Sequence, residues 1–127
     1  MTDAVFVTGL ALHAYHGVMQ HEAKVGQSFN LDLVLDPGIG FGKTPEQSLT
    51  AIARLPELKS FGLPLLVGAS RKRFIDTVSP APPDQRLGGS IAAHLLAVAG
   101  GAAIIRTHDV AETTQALRVA AAIGSAR

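Results

Sequence analysis

The hydrophobic pattern of the chain follows two grammars that meet near Asp36. From Ala4 to Leu12 the run AVFVTGLAL is apolar and rich in β-branched residues, which predicts a strand. From Ser28 to Leu35, Phe29, Leu31, Leu33 and Leu35 alternate against Ser28, Asn30, Asp32 and Val34, the period of a half-exposed strand. Between them HAYHGVMQHEAKVGQ is polar and His-rich and holds Gly17 and Gly26. It is too long for a tight hairpin turn and too weakly periodic for a helix. Up to this point the pattern is antiparallel β.

Beyond Asp36 strands and helices alternate. PGIGFGKT is a glycine-rich loop, and Pro45 stands at a plausible first helical position of PEQSLTAIARLPELKS, whose Leu49, Ile52, Leu55 and Leu58 recur at helical spacing. GLPLLVG predicts a short buried strand, ASRKRFIDTVSPAPPDQR a polar loop, LGGSIAAHLLAVAGG an alanine-rich helix and AAIIRTHDV another strand. The last segment, VAETTQALRVAAAIGSAR, puts Ala116, Leu117, Val119, Ala120 and Ile123 on one face, with Gly124 just past its end. From residue 31 onward the order is β, α, β, α, β, α, which implies parallel βαβ units. An eight-fold barrel takes about 250 residues. The expected fold class is therefore α/β: the last three βα units of a (β/α)8 barrel, preceded by a two-stranded antiparallel segment. The domain boundary falls between 1–35 and 36–127.

Composition narrows the function. The chain has 127 residues, 47% hydrophobic and 17% charged, enough apolar side chain for one core and too little charge for disorder. A formal charge of +1 supplies no long-range field for nucleic acid or an anionic membrane. The longest apolar stretch, Ile91 to Ile105, is broken by His94 and by Gly100 and Gly101, and falls short of the roughly 20 residues a bilayer span needs. No charged segment followed by an apolar one opens the chain, and the absence of Cys excludes disulfides, thiolate metal sites and thiol catalysis. A cytoplasmic enzyme or binding protein, with neither nucleic acid nor membrane as partner, is the expected class.

Three constellations carry chemistry. Asp36 through Thr44 ends in Gly-Lys-Thr, but a nucleotide phosphate loop needs glycine where Pro37 stands, and the dinucleotide fingerprint needs one where Lys43 stands. What remains is a carboxylate at a strand end followed by backbone with little side chain in the way, or else only a tight turn. Ser70, Arg71, Lys72 and Arg73 follow the next strand; they offer charge-assisted hydrogen bonds to an anion or polar heterocycle, or form a solvated basic loop. Arg106, Thr107, His108 and Asp109 close the third strand and open the last helix; Arg106 and His108, two apart on a strand, point to one side. If the three strands are neighbours, these groups converge on one crevice.

LDPGIGFGKT, LPLLVGASRKRFID and RLGGSIAAHLLAVAGGAAIIRTHDV, in this order and spacing, resemble the C-terminal third of dihydropteroate synthase over about residues 35–124. That family of folate biosynthesis, with a (β/α)8 fold, joins 6-hydroxymethyl-7,8-dihydropterin pyrophosphate to 4-aminobenzoate and releases pyrophosphate with Mg²⁺. The resemblance implies that Asp36 pairs with the amino-pyrimidine edge of the pterin and that Lys72 and Arg106 also contact the pterin. It implies that Phe41 and Ser70 lie near the aminobenzoate, and that Arg106 and His108 hold the pyrophosphate. It also implies that the usual Mg²⁺ ligand belongs to a part of the family fold absent from this chain, so that catalysis by the isolated chain is impaired.

The first 35 residues resemble the N-terminus of dihydroneopterin aldolase through Tyr15-His16-Gly17-Val18, Glu22 and Gly26-Gln27-Ser28-Phe29. Glu22 matches a glutamate at that family's pterin site, but the family's catalytic lysine lies in the later part of its fold, and the only lysine here is Lys24. A metal site at His13, His16 and His21 is not expected, because Val25 stands where a His-Glu-x-x-His motif needs its second histidine. The expected chain is thus a fusion of two folate-enzyme segments. Alternatives are a non-catalytic pterin-binding remnant that folds by association, its unpaired sheet edge favouring a homo-oligomer, and an aldolase.

Overall fold

The computed structural model describes residues 10–14, 27–31 and 33–127. Strands β1 (Leu10–Ala14) and β2 (Gln27–Leu31) pair antiparallel, Leu10 opposite Leu31 and Ala14 opposite Gln27. The expected first strand, Ala4 to Leu12, overlaps β1 only at its end; residues 4–9 lie outside the described residues. The expected second strand does not run to Leu35. Leu35 instead makes a single parallel bridge to Leu65, its N–H donating to the Pro64 carbonyl and its own carbonyl accepting from Leu66 N–H, both at 2.9 Å. Its backbone groups are thereby committed to the parallel sheet.

That sheet is built around β3 (Leu65–Val67), which pairs in parallel with β4 (Ala102–Ile105) through Leu65↔Ala102, Leu66↔Ile104 and Val67↔Ile105, with a register shift after Leu65. Leu35, β3 and β4 are therefore lateral neighbours. The connections are helical. Helix α1 (Pro45–Ala53) starts on a full capping box: Thr44 Oγ1 accepts from Gln47 N–H at 3.1 Å, and Gln47 Oε1 accepts from Thr44 N–H at 2.9 Å. The expected single helix breaks at Arg54 and resumes as α2 (Leu55–Leu58), because Pro56 has no N–H to continue the ladder.

The expected polar loop after β3 contains a helix, α3 (Arg73–Val78), whose Phe74 and Ile75 are buried in the core. Those two side chains supply the burial that the polar composition of the stretch conceals. Helix α4 (Leu87–Ala99) faces the core with Ser90, Ala93, His94 and Ala97, a stripe at helical spacing. Helix α5 (Val110–Ser125) runs past Gly124, and its expected apolar face is not a core face. Val119 and Ile123 are 54% and 60% exposed, and Thr113 is its one buried residue. Among the described residues, nothing covers α5 beyond Leu117.

Ile39, Ile52, Leu55, Leu65, Val67, Ala69, Phe74, Ile75, Ala93, Ala97 and Ala102 form one core between the sheet and its helices. Truncating Leu55, fully buried at its centre, to alanine would cost about 2–5 kcal/mol. Among the described residues no helix is long and apolar enough to cross a membrane.

Candidate functional site

The segments that leave Leu35, β3 and β4 at their carboxyl ends meet at one rim. They enclose a cavity of about 470 Å³ lined by Gly40, Phe41, Gly68, Ser70, Lys72, Arg106, Thr107 and His108. All three expected constellations contribute to it. Asp36 is the one expected site residue of the barrel-like part that does not line it.

Asp36 is buried and doubly held: its Oδ1 accepts from Gly38 N–H at 2.8 Å, and its Oδ2 lies 3.7 Å from the Arg106 guanidinium. The Arg106 guanidinium passes close over Gly68, where an added Cβ would come within 2.8 Å of it. Glycine at 68 is thus a condition for Arg106 to reach Asp36. Gly38, Gly40 and Gly42 all have positive φ (67°, 79° and 58°), so the loop after Leu35 is indeed a tight turn. The turn reading and the ligand-loop reading are compatible at Gly40, where a Cβ would meet the Lys72 stem at 2.8 Å.

Lys72 is held in place: its ammonium donates to the Ile39 carbonyl and lies 4.0 Å from the centroid of the Phe41 ring, a cation–π contact. The solvated-loop reading of Ser70–Arg73 therefore fails at Lys72, and equally at Ser70, which is buried. Ser70 Oγ accepts from His108 N–H at 3.2 Å and from the Thr107 hydroxyl at 3.5 Å, and lies 2.8 Å from His108 Nδ1. Nδ1 is filled when the Ser70 hydroxyl donates to it. A neutral His108 then carries its own proton on Nε2, a donor suited to an anion.

Arg106 and His108 do not sit on a strand, because β4 ends at Ile105. They reach one cavity through the loop that Ser70 anchors. Gly68 lines the cavity without belonging to any of the three motifs, and Arg71 and Asp109 form a pair that no motif spacing announces. Arg71 grips the Asp109 carboxylate with two donors, at 2.7 and 3.2 Å. That hydrogen-bonded pairing holds the Asp109 carboxyl below its ordinary range and raises the arginine. Opposite charges at two strand ends were the available signal. Of the expected residues in the first segment, Glu22, His16 and His21 lie outside the described residues, and His13 is described in backbone only, within β1.

The sequence profile of the family described as pterin binding enzyme matches residues 17–108. The chain belongs to the pterin-binding enzyme family. It is 51% identical over 92 residues to the dihydropteroate synthase of Synechocystis sp., covering 72% of this chain and 32% of that relative. Yersinia pestis dihydropteroate synthase solved with a pterine–sulfa conjugate superposes with a TM-score of 0.71 at 47% identity, over 75% of this chain and 38% of that one. The Xanthomonas albilineans enzyme in complex with 7,8-dihydropteroate gives a TM-score of 0.71 at 47% identity, over 72% and 36%.

The chain spans about a third of the length of the curated pterin-binding relatives it matches. Those matches carry a pterin-binding α/β fold of the barrel family. The profile match begins at residue 17, inside the segment that resembles the aldolase. Among the described residues there is no group of three or more His, Cys, Asp or Glu side chains placed to hold a metal ion.

Proposed function

We propose that the cavity binds 6-hydroxymethyl-7,8-dihydropterin pyrophosphate, and that the chemistry it serves is displacement of pyrophosphate by the amine of 4-aminobenzoate. In that reaction a C–N bond forms at the pterin methylene, the C–O bond to pyrophosphate breaks, and the amine loses a proton. The observation that carries the reading is the convergence, around one 470 Å³ cavity, of Arg106, His108 and Lys72 with the buried Asp36 carboxylate next to Arg106. It is supported by family membership and by relatives solved with pterin-containing ligands.

The roles are those that the family resemblance implies, and each fits the chemistry of its group. Asp36, oriented by Gly38 N–H, is the acceptor for the amino-pyrimidine edge, which presents two parallel donors. Lys72 and Arg106 face the pterin, Lys72 fixed over Phe41. Arg106 and the Nε2 proton of His108 receive the pyrophosphate and stabilise the negative charge that grows on it as the C–O bond breaks. Phe41 and Ser70 border the aminobenzoate. The barrel-like part is read as the last three βα units of a (β/α)8 barrel over residues 36–127, preceded by a two-stranded antiparallel segment over 1–35. The aldolase-like reading of that first segment rests on Tyr15–Val18, Glu22 and Gly26–Phe29, and release of glycolaldehyde from dihydroneopterin is expected to be absent.

The test is calorimetry on the whole 127-residue chain. Pterin pyrophosphate should bind and raise the melting midpoint, since a ligand selective for the folded state stabilises it. Incorporation of labelled 4-aminobenzoate then measures turnover. Binding with turnover supports the transferase reading, and binding without turnover makes the chain a pterin-binding module. No binding at millimolar ligand overturns both.

A further inference from the structure

Arg71 lies between two cavity residues, Ser70 and Lys72, yet does not line the cavity itself. It has φ 57°, the only non-glycine positive φ among the described residues, a conformation that L side chains rarely adopt. Three separate contacts hold it there. Its N–H donates to Ser90 Oγ at 2.8 Å, its carbonyl accepts from the Arg86 guanidinium at 3.0 Å, and its own guanidinium takes the Asp109 carboxylate at two points.

Those contacts are themselves anchored. Ser90 is buried on α4 and donates its hydroxyl to the Arg86 carbonyl at 2.8 Å. Arg86 also donates to the Ala81 carbonyl at 2.7 Å and pairs with Asp76 at 3.2 Å. One continuous polar network thus ties the loop after β3 to α3, α4 and the start of α5. The backbone reversal at Arg71 sends its side chain toward Asp109 while its neighbours on both sides reach the cavity.

The two strand-end loops are joined twice, in adjacent residues. Ser70 meets His108 and Arg71 meets Asp109. The first contact lies at the cavity, and the second lies outside its lining, between part-buried side chains. We propose that Arg71 is a positioning residue: by gripping Asp109 it fixes the loop of residues 107–109 against Ser70, and so sets His108 for the pyrophosphate end of the ligand. This rests on the reading of the cavity as a pterin pyrophosphate site. A clamp of this kind matters because donors must stand at the charge before it develops, held by neighbours whose own geometry is locked.

The experiment uses Arg71→Met and Arg71→Gly in the full chain. Glycine adopts the positive φ without strain, so Arg71→Gly keeps the turn and removes only the grip. Two ligands are titrated: pterin pyrophosphate, and 6-hydroxymethylpterin, which lacks the pyrophosphate. Both variants should bind the pyrophosphate form about tenfold more weakly and the plain pterin unchanged. In the ligand-free variants the ring signals of His108 in NMR spectra should move from their wild-type positions, which a merely structural loss elsewhere would not cause.

Arg71→Lys, a point charge without the two-point fork, should fall between wild type and Arg71→Gly. Unchanged affinity for pterin pyrophosphate in Arg71→Gly, or equal loss for both ligands, overturns the proposal. If wild type binds neither ligand, the pterin reading fails. The His108 signals then decide alone: a shift in Arg71→Gly upholds the positioning role, and unmoved signals overturn it.

Discussion

Ser70 Oγ and His108 Nδ1 lie 2.8 Å apart although 38 positions separate them in sequence. The contact exists because β3 and β4 are parallel neighbours, so that the residues following each strand emerge at the same edge. Ser70 serves His108 twice, at the ring and at the backbone N–H, and it is buried while His108 is exposed. A rigid inner residue thus orients a solvent-facing one, the arrangement expected where a donor must wait for an anion.

Ser70→Ala removes the hydroxyl and leaves His108 Nδ1 and His108 N–H without their partner, while the Thr107 hydroxyl keeps its contacts with Thr113 Oγ1 and Asp109 N–H, both at 3.2 Å. Affinity for pterin pyrophosphate should fall about tenfold, and the melting midpoint should drop by a few degrees. Titration calorimetry and a thermal melt on the same preparation check both. Wild-type affinity in the variant would separate Ser70 from the ligand site.

Gly68→Ala is a steric probe of Arg106. The added Cβ would sit 2.8 Å from the guanidinium, which is the far end of a flexible side chain and can yield. The fold should stay within about 1 kcal/mol of wild type, while Arg106 loses its approach to Asp36. A loss of affinity for the pterin ligand with an almost unchanged melt is expected. A large loss of stability instead would mean that Arg106 is locked in place and that the strand yields.

His94 is 1% exposed, and neither ring nitrogen has a hydrogen-bond partner among the described residues. Burial lowers its pKa below the ordinary imidazole value, partly opposed by the Asp109 charge. As pH falls below about 6.5 the unfolded chain takes up the proton before the folded one does. Stability is therefore full above that value and declines as pH drops toward the lowered folded pKa. His94→Leu should raise the melting midpoint by about 4 °C at neutral pH and flatten this acid-side decline, measured by melts between pH 7.5 and 5. An equally steep decline in the variant would assign it to other groups.

Thr44→Ala breaks the capping box at the start of α1, a helix that begins directly behind the glycine loop. The expected cost is about 1 kcal/mol, read as a fall of roughly 4 °C in the melting midpoint. Restoring a cap with Thr44→Ser should recover most of it.

The alternation of strand and helix after Asp36 was legible because its signals are local: apolar runs bounded by glycine, Pro45 opening a helix, an alanine-rich stripe ending at Gly100. Asp36, Phe41, Ser70, Lys72, Arg106 and His108 were legible as candidates because each stands in a dense motif at a strand end. Other features depart from the local pattern, each for its own physical reason. Phe74 and Ile75 turn a polar stretch into α3. Pro56 splits the first helix. The apolar face of α5 stands exposed from Arg118 onward, since periodicity reports an amphipathic face but not what lies against it.

What the sequence determined by itself was the set of elements and the chemical groups at their ends, because propensity, capping and hydrophobic period act within a few residues. What only the tertiary structure decided was which of those groups meet. The approach of Arg106 to Asp36 over Gly68, the double staple of Ser70 to His108 and Arg71 to Asp109, and the burial of His94 all depend on parallel pairing between β3 and β4 and on the packing of α4 beneath them. Those are distances between residues far apart in the chain, and they are fixed by the closing of one core.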